Sequence, residues 1–483
     1  MQWDHRSKNS VAIPFIMWYT IENLLGGISQ MRFFITLWIS KFIAFAVNRI
    51  DKQRGSNYSG KIAVKLMSNF VSSFQNIDYN KVFFISGTNG KSTTTNLLYH
   101  TLTQAGKKVA SNVEGANMMG GVATTLIKNS TLTGKFSKEF LVLEIDERSF
   151  PLIRKQLPGC NMGITNLQKD QVQRNGDPDF ILRKFRSAIG KDMTLYLNNE
   201  EPRSLSLGTL AGSYKTFSIA ENSRTYTSDD FYNVTLPCPV CGHPINYKNY
   251  NLANIGPFRC TKCSYASAKA PTVLIDSVDY ENNTFTCSGT SWQVPYNNPF
   301  YIYNFAMCIT ICREIGLSDA QIQAGFASFR NPASHEDIIY YRGKEIHYLR
   351  GKQENPEALQ SELDVIAADT RKKAVFVGLY RVEDFYPHYA GTFYFFDCDF
   401  QNIVKSNVEC YVAFSQNVAY DIASRMILAG APEEDVTIVN SDEMSQIFAT
   451  LDSIETDIIY VLTNPKHARV VKNYLNQGGD SNA

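Results

Sequence analysis

Short apolar runs that end at polar or glycine-rich turns recur through the first half of the chain. These runs cover residues 82–86, 140–145, 162–165 and 193–197. Helical periodicity occupies residues 94–102 and 300–330. Runs this short and apolar are typical of strands buried on both faces of a parallel sheet. Their alternation with helices predicts an α/β domain.

The last third of the chain repeats the alternation on a smaller scale. Apolar runs typical of strands cover residues 374–379, 393–396, 409–413, 436–439 and 458–463. Helical patterns cover residues 417–429, 442–451 and 466–475. This order predicts a C-terminal Rossmann-like α/β domain. We divide the chain into an N-terminal apolar segment (1–60), a central domain (61–330) and a C-terminal domain (331–483).

The N-terminal segment is apolar but interrupted. Residues 11–47 contain Glu22, Arg32 and Lys41, so no uncharged stretch is long enough to cross the hydrocarbon core of a bilayer. The pattern of residues 33–50 predicts a helix, because side chains such as Phe34, Leu37, Trp38, Lys41 and Phe45 recur at three- and four-residue spacing. A helix packed on the body of the protein is the first interpretation. A helix at a membrane surface is the second, and a transmembrane span the third.

Composition narrows the class of protein. The 483 residues are 44% hydrophobic and 19% charged, which excludes a disordered chain and suits about three domains. Lys and Arg (47) nearly equal Asp and Glu (46), so no nucleic-acid partner is expected. Ten cysteines, four of them in two CxxC pairs, suit a reducing compartment. We expect a cytoplasmic protein, with the inner face of the membrane as an alternative location.

A glycine-rich turn joins the first predicted strand to the following helix. Its residues are Gly87, Thr88, Asn89, Gly90, Lys91, Ser92 and Thr93. The two glycines let backbone N–H groups point at phosphate oxygens, and the helix adds its positive N-terminal end. Lys91 is expected to reach the β- and γ-phosphates and Ser92 to ligate Mg²⁺. An ordinary strand-to-helix connection has little use for Lys-Ser-Thr here, so the turn predicts an ATP site.

Carboxylates follow the second predicted strand. Glu144, Asp146 and Glu147 come at its C-terminal end, where α/β sheets bind their ligands. Glu144 is a candidate second ligand for Mg²⁺. A solvated acid at the end of a strand is the alternative.

These motifs together resemble the Mur ligase family, the ATP-dependent ligases of peptidoglycan assembly. The resemblance implies that a carboxylate is activated as an acyl phosphate and then attacked by an amine. It gives Lys91 and Ser92 the triphosphate and Mg²⁺, gives Glu144 a Mg²⁺, and places Asn166 and Asp170 at the central site. Gln171 stands where most amino-acid-adding members have His, and no counterpart of their carbamylated Lys can be placed.

Two CxxC pairs within residues 234–268 predict an inserted zinc ribbon. Their members are Cys238, Cys241, Cys260 and Cys263. Two such pairs offer four thiolates, which close a tetrahedral Zn²⁺ site and leave no position open for catalysis. Few basic residues lie in the ribbon, so we interpret it as a staple for the insertion rather than a nucleic-acid reader.

The ribbon narrows the resemblance to the MurT family, the ligase subunits of lipid II isoglutaminyl synthases. The segments at 112–118 and 143–150 resemble that family's NxEGAN and IEIDEGS blocks. The resemblance covers about residues 31–480. It implies amidation of the D-Glu α-carboxyl in the lipid II stem peptide. It also implies a separate glutaminase partner of the GatD type that supplies ammonia.

The C-terminal third departs from the family pattern. Asn304 is kept near the family's adenine site, whereas His335 replaces an Arg that binds nucleotide phosphate in related ligases. The family Asp that completes the glutaminase triad falls at Gly391 in one register and at His388 in the other. Asp384 or His388 is a candidate replacement for that Asp.

Three functions follow from these features. The first is MurT-type amidation of lipid II, with glutamine or free ammonium as the nitrogen source. The second is a Mur-like ligase that acts on another acceptor. The third is a non-catalytic paralogue that binds ATP and a partner.

Overall fold

The computed structural model describes residues 12–50, 57–112, 116–169, 177–227, 236–252, 254–296, 299–330, 336–350, 356–379, 392–463 and 465–478.

A large sheet forms the centre of the first half of the chain. Its strands are β1 (Val82–Ser86), β2 (Val109–Ser111), β3 (Phe140–Glu144), β4 (Asn161–Ile164), β5 (Thr194–Asn198), β6 (Ser213–Ile219), β9 (Val273–Asp279), β10 (Thr284–Cys287) and β11 (Thr290–Gln293). Among the described residues their order is β11-β10-β9-β6-β5-β4-β1-β3-β2. The strands from β2 to β9 in this order run parallel, and β10 and β11 close the edge as an antiparallel extension.

Helices cover both faces of this sheet. They are α1 (Ala12–Ile50), α2 (Tyr58–Leu66), α3 (Lys91–Gln104), α4 (Met119–Lys128), α5 (Phe150–Gln156), α6 (Pro178–Arg186), α7 (Pro202–Leu205), α8 (Pro299–Glu314) and α9 (Asp319–Ser328). Successive side chains of a strand point to opposite faces of the sheet. Each strand therefore contributes side chains to the hydrophobic core on either side of the sheet. In β1, Val82 and Phe84 pack with α1, α2, α4 and α5, whereas Phe83 and Ile85 pack with α3, α8 and α9.

The N-terminal helix α1 is longer than the predicted 33–50. One face of its C-terminal half packs on the body, where Phe33 and Leu37 are buried against α2 and α4. The Phe33 ring makes an edge contact with the Phe74 ring, and the two ring centroids lie 5.3 Å apart.

A small hairpin is inserted between β6 and β9. Its antiparallel strands are β7 (Ile245–Tyr247) and β8 (Phe258–Cys260). Leu205 of α7 packs against the hairpin, which fixes the insertion on the central domain.

The second sheet lies in the C-terminal part. Its strands are β12 (Glu336–Tyr341), β13 (Lys344–Arg350), β14 (Lys373–Gly378), β15 (Val408–Phe414), β16 (Val436–Val439) and β17 (Ile458–Thr463). Among the described residues their order is β12-β13-β17-β14-β15-β16, and only β12 runs antiparallel to its neighbour. The helices are α10 (Pro356–Ala368), α11 (Gln401–Val404), α12 (Ala419–Leu428), α13 (Met444–Ile447) and α14 (Pro465–Gly478).

One predicted strand of this part is wrong. Residues 393–396 lie in a 3₁₀ helix, Phe393–Asp397, instead of a strand. Phe395 and Cys398 are both buried, and their spacing of three matches the repeat of a 3₁₀ helix. The aromatic run therefore turns one side toward the core instead of alternating between two faces.

Candidate active site

The phosphate-loop turn lies where the central strands end. Strand β1 sits between β3 and β4, so the C-terminal ends of all three meet beside residues 87–93. Gly90 has a φ of +86°, and an added Cβ would collide with Oδ1 of Asn304. Gly87 has a φ of +125°, and its Cβ would collide with Thr165 Oγ1. Both positions therefore require glycine.

A neighbouring loop braces the turn from one side. The backbone N–H of Thr88 donates to the Asn166 carbonyl at 2.8 Å, and that of Asn89 donates to Asn166 Oδ1 at 3.0 Å. Asn166 Nδ2 donates back to the Asn89 carbonyl at 3.1 Å. Gln168, which the sequence did not single out, accepts from Asn89 Nδ2 at 2.9 Å and donates its N–H to Thr88 Oγ1 at 3.0 Å. Asn166 thus holds the shape of the loop.

Lys91 begins helix α3 and is almost completely buried, with 7% of its surface exposed. Its ammonium group donates to the carbonyls of Gly87 and Thr88 and to Glu147 Oε1, the last at 2.5 Å. Burial raises the pKa of the Glu147 carboxyl, and the Lys91 charge acts in the opposite direction. The loop therefore holds a buried cation whose carboxylate partner comes from the end of β3. Glu147 was not among the predicted site residues, although its place after that strand is the signal that could have identified it.

Glu144 ends strand β3 as a buried carboxylate. Asn117 Nδ2 donates to Glu144 Oε1 at 3.0 Å. Asn112 bonds both backbone groups of Glu144, each at 2.8 Å, and so fixes the direction of the strand end. Ser92 is exposed at the start of α3. A hydroxyl and a carboxylate are hard oxygen donors, so these side chains fit Mg²⁺.

A narrow crevice opens next to the loop. It is lined by Thr165, Asn166, Asn198, Phe217, Leu252, Ile255, Phe300, Tyr303 and Asn304. Four of the nine lining side chains are apolar, and the other five carry an amide or a hydroxyl group. Asn304, predicted from the sequence as a nucleotide-binding residue, lies both in this crevice and against Gly90. The crevice lies beside the loop but is closed in this structure, so a nucleoside would enter it only if its walls moved apart.

Two buried acids, Glu200 and Glu201, follow β5, and the first of them contacts a side chain of the crevice. The Tyr303 hydroxyl donates to Glu200, and burial raises the pKa of Glu200 to about 7. Glu201 accepts from the N–H groups of Arg203 at 3.0 Å and Ser204 at 2.8 Å, which caps helix α7, and from that of Leu167 at 3.2 Å. These contacts are structural and tie the loop after β4 to α7.

Three predicted site residues lie outside the described residues. They are Asp170, Asp384 and His388. Gln171, His335 and Gly391 also lie there, so the departures from the family pattern stay sequence observations.

The four predicted metal ligands come together in the inserted hairpin. Cys238, Cys241, Cys260 and Cys263 have Sγ atoms that all lie within 4.8 Å of one another. The separation is 3.8 Å for Cys238–Cys263 and 3.5 Å for Cys241–Cys260. A tetrahedral site with Zn–S bonds of about 2.3 Å needs sulfur separations of about 3.8 Å, so the cluster fits Zn²⁺. The backbone N–H groups of Lys262 and Cys263 point at Cys260 Sγ at 3.4 Å.

Known proteins resemble this chain in both sequence and fold. The family described as MurT ligase C-terminal matches residues 353–465. The MurT subunit of the glutamine-hydrolysing lipid II isoglutaminyl synthase of Staphylococcus aureus (strain COL) is 26% identical over 412 residues, which are 85% of this chain and 90% of that protein. A pseudomurein peptide ligase type C from Methanothermus fervidus has a TM-score of 0.61 at 17% identity and covers 85% of this chain and 80% of its own. MurF ligase from Thermotoga maritima, solved in complex with ADP, has a TM-score of 0.51 at 14% identity. The match covers 87% of this chain and 84% of the MurF chain.

Proposed function

Because this chain is a homologue of the MurT subunits and has a Mur-ligase-like α/β fold, we propose that it is an ATP-dependent carbon–nitrogen ligase of peptidoglycan synthesis. We further propose that it amidates the α-carboxyl of D-Glu in the lipid II stem peptide. The observation that carries the proposal is the junction of β1 and β3. There a glycine-dependent loop, the buried Lys91 and the carboxylate of Glu144 come together in a chain that aligns with MurT over 412 residues.

The proposed reaction has two steps. An oxygen of the substrate carboxylate attacks the γ-phosphorus of ATP, the bond to the bridging oxygen breaks, and ADP leaves. Ammonia then attacks the carbonyl carbon of the acyl phosphate, loses a proton, and expels inorganic phosphate. Each step creates negative charge on phosphoryl oxygens, which preorganised cations and N–H groups stabilise.

The residues of the loop have distinct roles in this scheme. Lys91 and the backbone N–H groups of Gly90–Thr93 bind the phosphates, while Asn166 accepts from the N–H groups of Thr88 and Asn89 and so keeps the loop in shape. Ser92 and Glu144 would hold Mg²⁺, which supplies positive charge to the phosphates. We place the nucleoside at the crevice that contains Asn304, whose walls must move apart to admit it.

The proposed assembly includes a second subunit. The S. aureus relative is named as one subunit of a glutamine-hydrolysing synthase. We propose a GatD-type glutaminase as the partner of this chain and a cytoplasmic location for the pair. We also propose that the four cysteines bind one structural Zn²⁺ and that the five parallel strands of the second sheet form a Rossmann-like domain.

The test is reconstitution with defined substrates. Purified chain, ATP, Mg²⁺, lipid II and ammonium chloride are incubated, and the stem peptide is analysed by mass spectrometry. The expected product carries a carboxamide in place of the D-Glu α-carboxyl, with ADP formed in equal amount. The Lys91→Ala variant is the control without product.

Two results would contradict the proposal. Turnover only with an amino acid as amine donor would indicate a Mur-like ligase with another acceptor or donor. Tight ATP binding without ADP formation, with lipid II and either nitrogen source, would indicate a non-catalytic paralogue.

A further inference from the structure

Helix α1 has a second apolar face that none of the residues described by the structure covers. Large side chains stand out on it, among them Phe42 with 71%, Phe45 with 57% and Trp38 with 54% of the residue exposed. Met31, Ile35 and Ile39 belong to the same exposed set. We call these six residues the α1 outer face. Contiguous apolar surface of this kind marks an interaction site in soluble domains.

The outer face is a stripe and not a scatter. At 100° per residue, its six residues fall within about 120° of the helix circumference. Phe33, Leu37 and Ser40 lie on the opposite side and are buried against the central domain. The helix is therefore apolar on two sides, and only one of them is needed for packing.

Polar contacts hold the helix flat on the body along this stretch. The Lys41 ammonium donates to the carbonyls of Ile127 at 2.5 Å and Ser130 at 2.7 Å. Trp38 Nε1 donates to the carbonyl of Leu132 at 2.9 Å, and Leu132 is itself exposed and extends the outer face.

The segment Ser29–Val47 is long and apolar enough to cross a membrane by length and composition. A helix with one side packed on protein and a lysine bonded to that protein is not surrounded by lipid, so it lies along a surface.

The segments that pack beside the C-terminal half of α1 carry more cations than carboxylates. Residues 29–50, helix α2, helix α4 and residues 129–136 contain no Asp or Glu. They contain Arg32, Lys41, Arg49, Lys61, Lys65, Lys128 and Lys135. The whole chain has a net charge of only +1, so this is a local concentration of cations. Exposed Trp and Phe beside Lys and Arg is the composition of a helix that lies in the interface of an anionic bilayer.

From this arrangement we propose that the α1 outer face docks the protein on the surface of an anionic phospholipid bilayer. Phe42, Phe45 and Trp38 enter the headgroup boundary, and the exposed Lys and Arg side chains of these segments meet lipid phosphates, whereas Lys41 stays bonded to the protein. The proposal goes beyond the proposed ligase activity and does not depend on it. If lipid II is the substrate, docking places the central domain beside the membrane that holds it.

The test is co-sedimentation of the full chain with vesicles. One set contains phosphatidylglycerol and phosphatidylethanolamine, and the other contains phosphatidylcholine only. We expect binding to the anionic set, weakened by high salt. We expect Phe42→Asp/Phe45→Asp to reduce the partition coefficient by about tenfold or more, because two apolar groups are replaced by charges that the lipid phosphates repel.

The matched control is Leu152→Asp/Leu428→Asp, which places the same charges at residues 67% and 75% exposed elsewhere on the surface. This control should bind vesicles like the wild type, and all variants should keep wild-type circular dichroism and ATP binding. Equal loss in both double variants, or unchanged binding of the α1 variant, overturns the proposal.

A second copy of the chain is the competing occupant, and light scattering detects it. The wild type could be a dimer without lipid, become a monomer in Phe42→Asp/Phe45→Asp, and bind no vesicles. That result would show that the α1 outer face is a dimer interface and not a membrane-binding surface. Vesicle binding and amidation are measured in separate assays. A negative result for membrane binding therefore does not affect the test of the ligase activity, and the reverse also holds.

Discussion

Lys91 is a buried cation that needs a partner, and it is also the proposed ligand of the ATP phosphates. An ammonium in the interior needs a partner, since an unpaired buried charge is strongly unfavourable. Glu147 supplies that partner at 2.5 Å, and the carbonyls of Gly87 and Thr88 complete the contacts. The same ammonium is the cation that we propose for the phosphates of ATP. Lys91 is thus held in the loop before a nucleotide arrives, and its charge is balanced without one.

Replacement of Lys91 should therefore affect both activity and stability. We expect Lys91→Ala to abolish ATP turnover, because the side-chain cation of the loop is lost. We also expect it to lower the free energy of unfolding by about 3–5 kcal/mol, because Glu147 is left buried without its ammonium. ATPase assays and urea titration measure the two effects.

The double variant Lys91→Ala/Glu147→Gln separates them. It should recover much of the stability, since no unpaired carboxylate remains, and it should stay inactive. Wild-type-like ATP turnover in Lys91→Ala would show that this turn is not the phosphate site.

Glu200 predicts a pH dependence of stability. Burial raises its pKa to about 7, while the unfolded value is 4.5. Below pH 4.5 the carboxyl is protonated in both states and has no effect. Between pH 4.5 and 7 only the folded state holds the proton, so the free energy of unfolding falls as pH rises, by about 3 kcal/mol in all.

Glu200→Gln removes the titrating group while its amide oxygen still accepts from Tyr303. The stability gained over wild type should be small at pH 5 and should grow to about 3 kcal/mol at pH 8, as measured by urea titration. The exposed Glu434→Gln is the control and should show no such trend. A gain that is constant with pH would mean that Glu200 is ionised throughout.

At the scale of elements, the loop between β1 and α3 needs glycine at position 90 for two reasons, its backbone conformation and the close approach of Asn304. Gly90 and Gly106 both have positive φ, at +86° and +79°. An added Cβ meets Asn304 at Gly90 and nothing within 4 Å at Gly106.

This pair makes a matched test. Gly106→Ala should cost about 1 kcal/mol of stability, from backbone strain alone, and leave ATP binding unchanged. Gly90→Ala should weaken ATP binding by tenfold or more, about 1.4 kcal/mol, because Asn304 must leave the crevice. Isothermal titration with a non-hydrolysable ATP analogue distinguishes them, and equal affinities of the two variants would contradict the role of this contact.

The inserted hairpin is the second element that makes a prediction. We expect purified protein prepared without chelator to contain about one Zn²⁺ per chain, the occupancy of a single four-thiolate site. Cys260→Ser should lose the metal and lower the melting temperature, since metal binding stabilises the fold of such hairpins. Cys160→Ser, a cysteine outside the cluster, is the control and should keep both. Zinc-free protein by elemental analysis would refute the assignment.

The elements differ in how well their patterns predict them. The apolar runs predict β1, β3, β4 and β5 to within one residue at each end, because strands buried on both faces must be apolar throughout. Strands β9 and β12 are not predicted. The apolar run in β9, 273–275, has only three residues, and that in β12, 338–341, follows two charged residues, so neither stands out like the runs of the central strands.

At the scale of the whole molecule, the site is built from segments that are distant in the sequence. The order of motifs predicts the phosphate loop and Glu144, since both follow strands that end at one edge of the sheet. It does not predict that Glu147 pairs with Lys91, that Asn304 lies on Gly90, or that Tyr303 donates to Glu200. These contacts depend on how α3 and α8 pack on the sheet, and a local pattern carries no information about that.

The two sheets meet through few polar contacts among the described residues. One is the exposed pair Lys169–Asp397 at 3.4 Å, which joins the loop after β4 to the C-terminal domain. An exposed pair of this kind contributes little to stability. Lys169 directly precedes Asp170, a predicted residue of the central site. Any contribution of the C-terminal domain to the reaction is therefore tested with the full chain and not with a separated domain.

The nitrogen source is the prediction that belongs to the assembly. By its resemblance to MurT, this chain should supply an Asp that orients the catalytic His of the glutaminase partner. Neither Gly391 nor His388, the two positions that the registers allow, is an Asp. In serine proteases the loss of the Asp that fixes the His tautomer costs about 10⁴ in rate. We therefore expect this chain to use free ammonium better than glutamine.

The measurement combines the chain, its cognate glutaminase, ATP and lipid II, and compares amidation rates with glutamine and with ammonium chloride. Ammonium should support the faster reaction, and the glutaminase should release little glutamate, because a His without its orienting carboxylate is a poor base. If glutamine is used efficiently and Asp384→Ala or His388→Ala removes that use while ammonium still works, the altered residue has taken over the role of the Asp. Efficient use of glutamine that survives both substitutions would contradict the prediction, because the orienting group would then lie elsewhere in the complex.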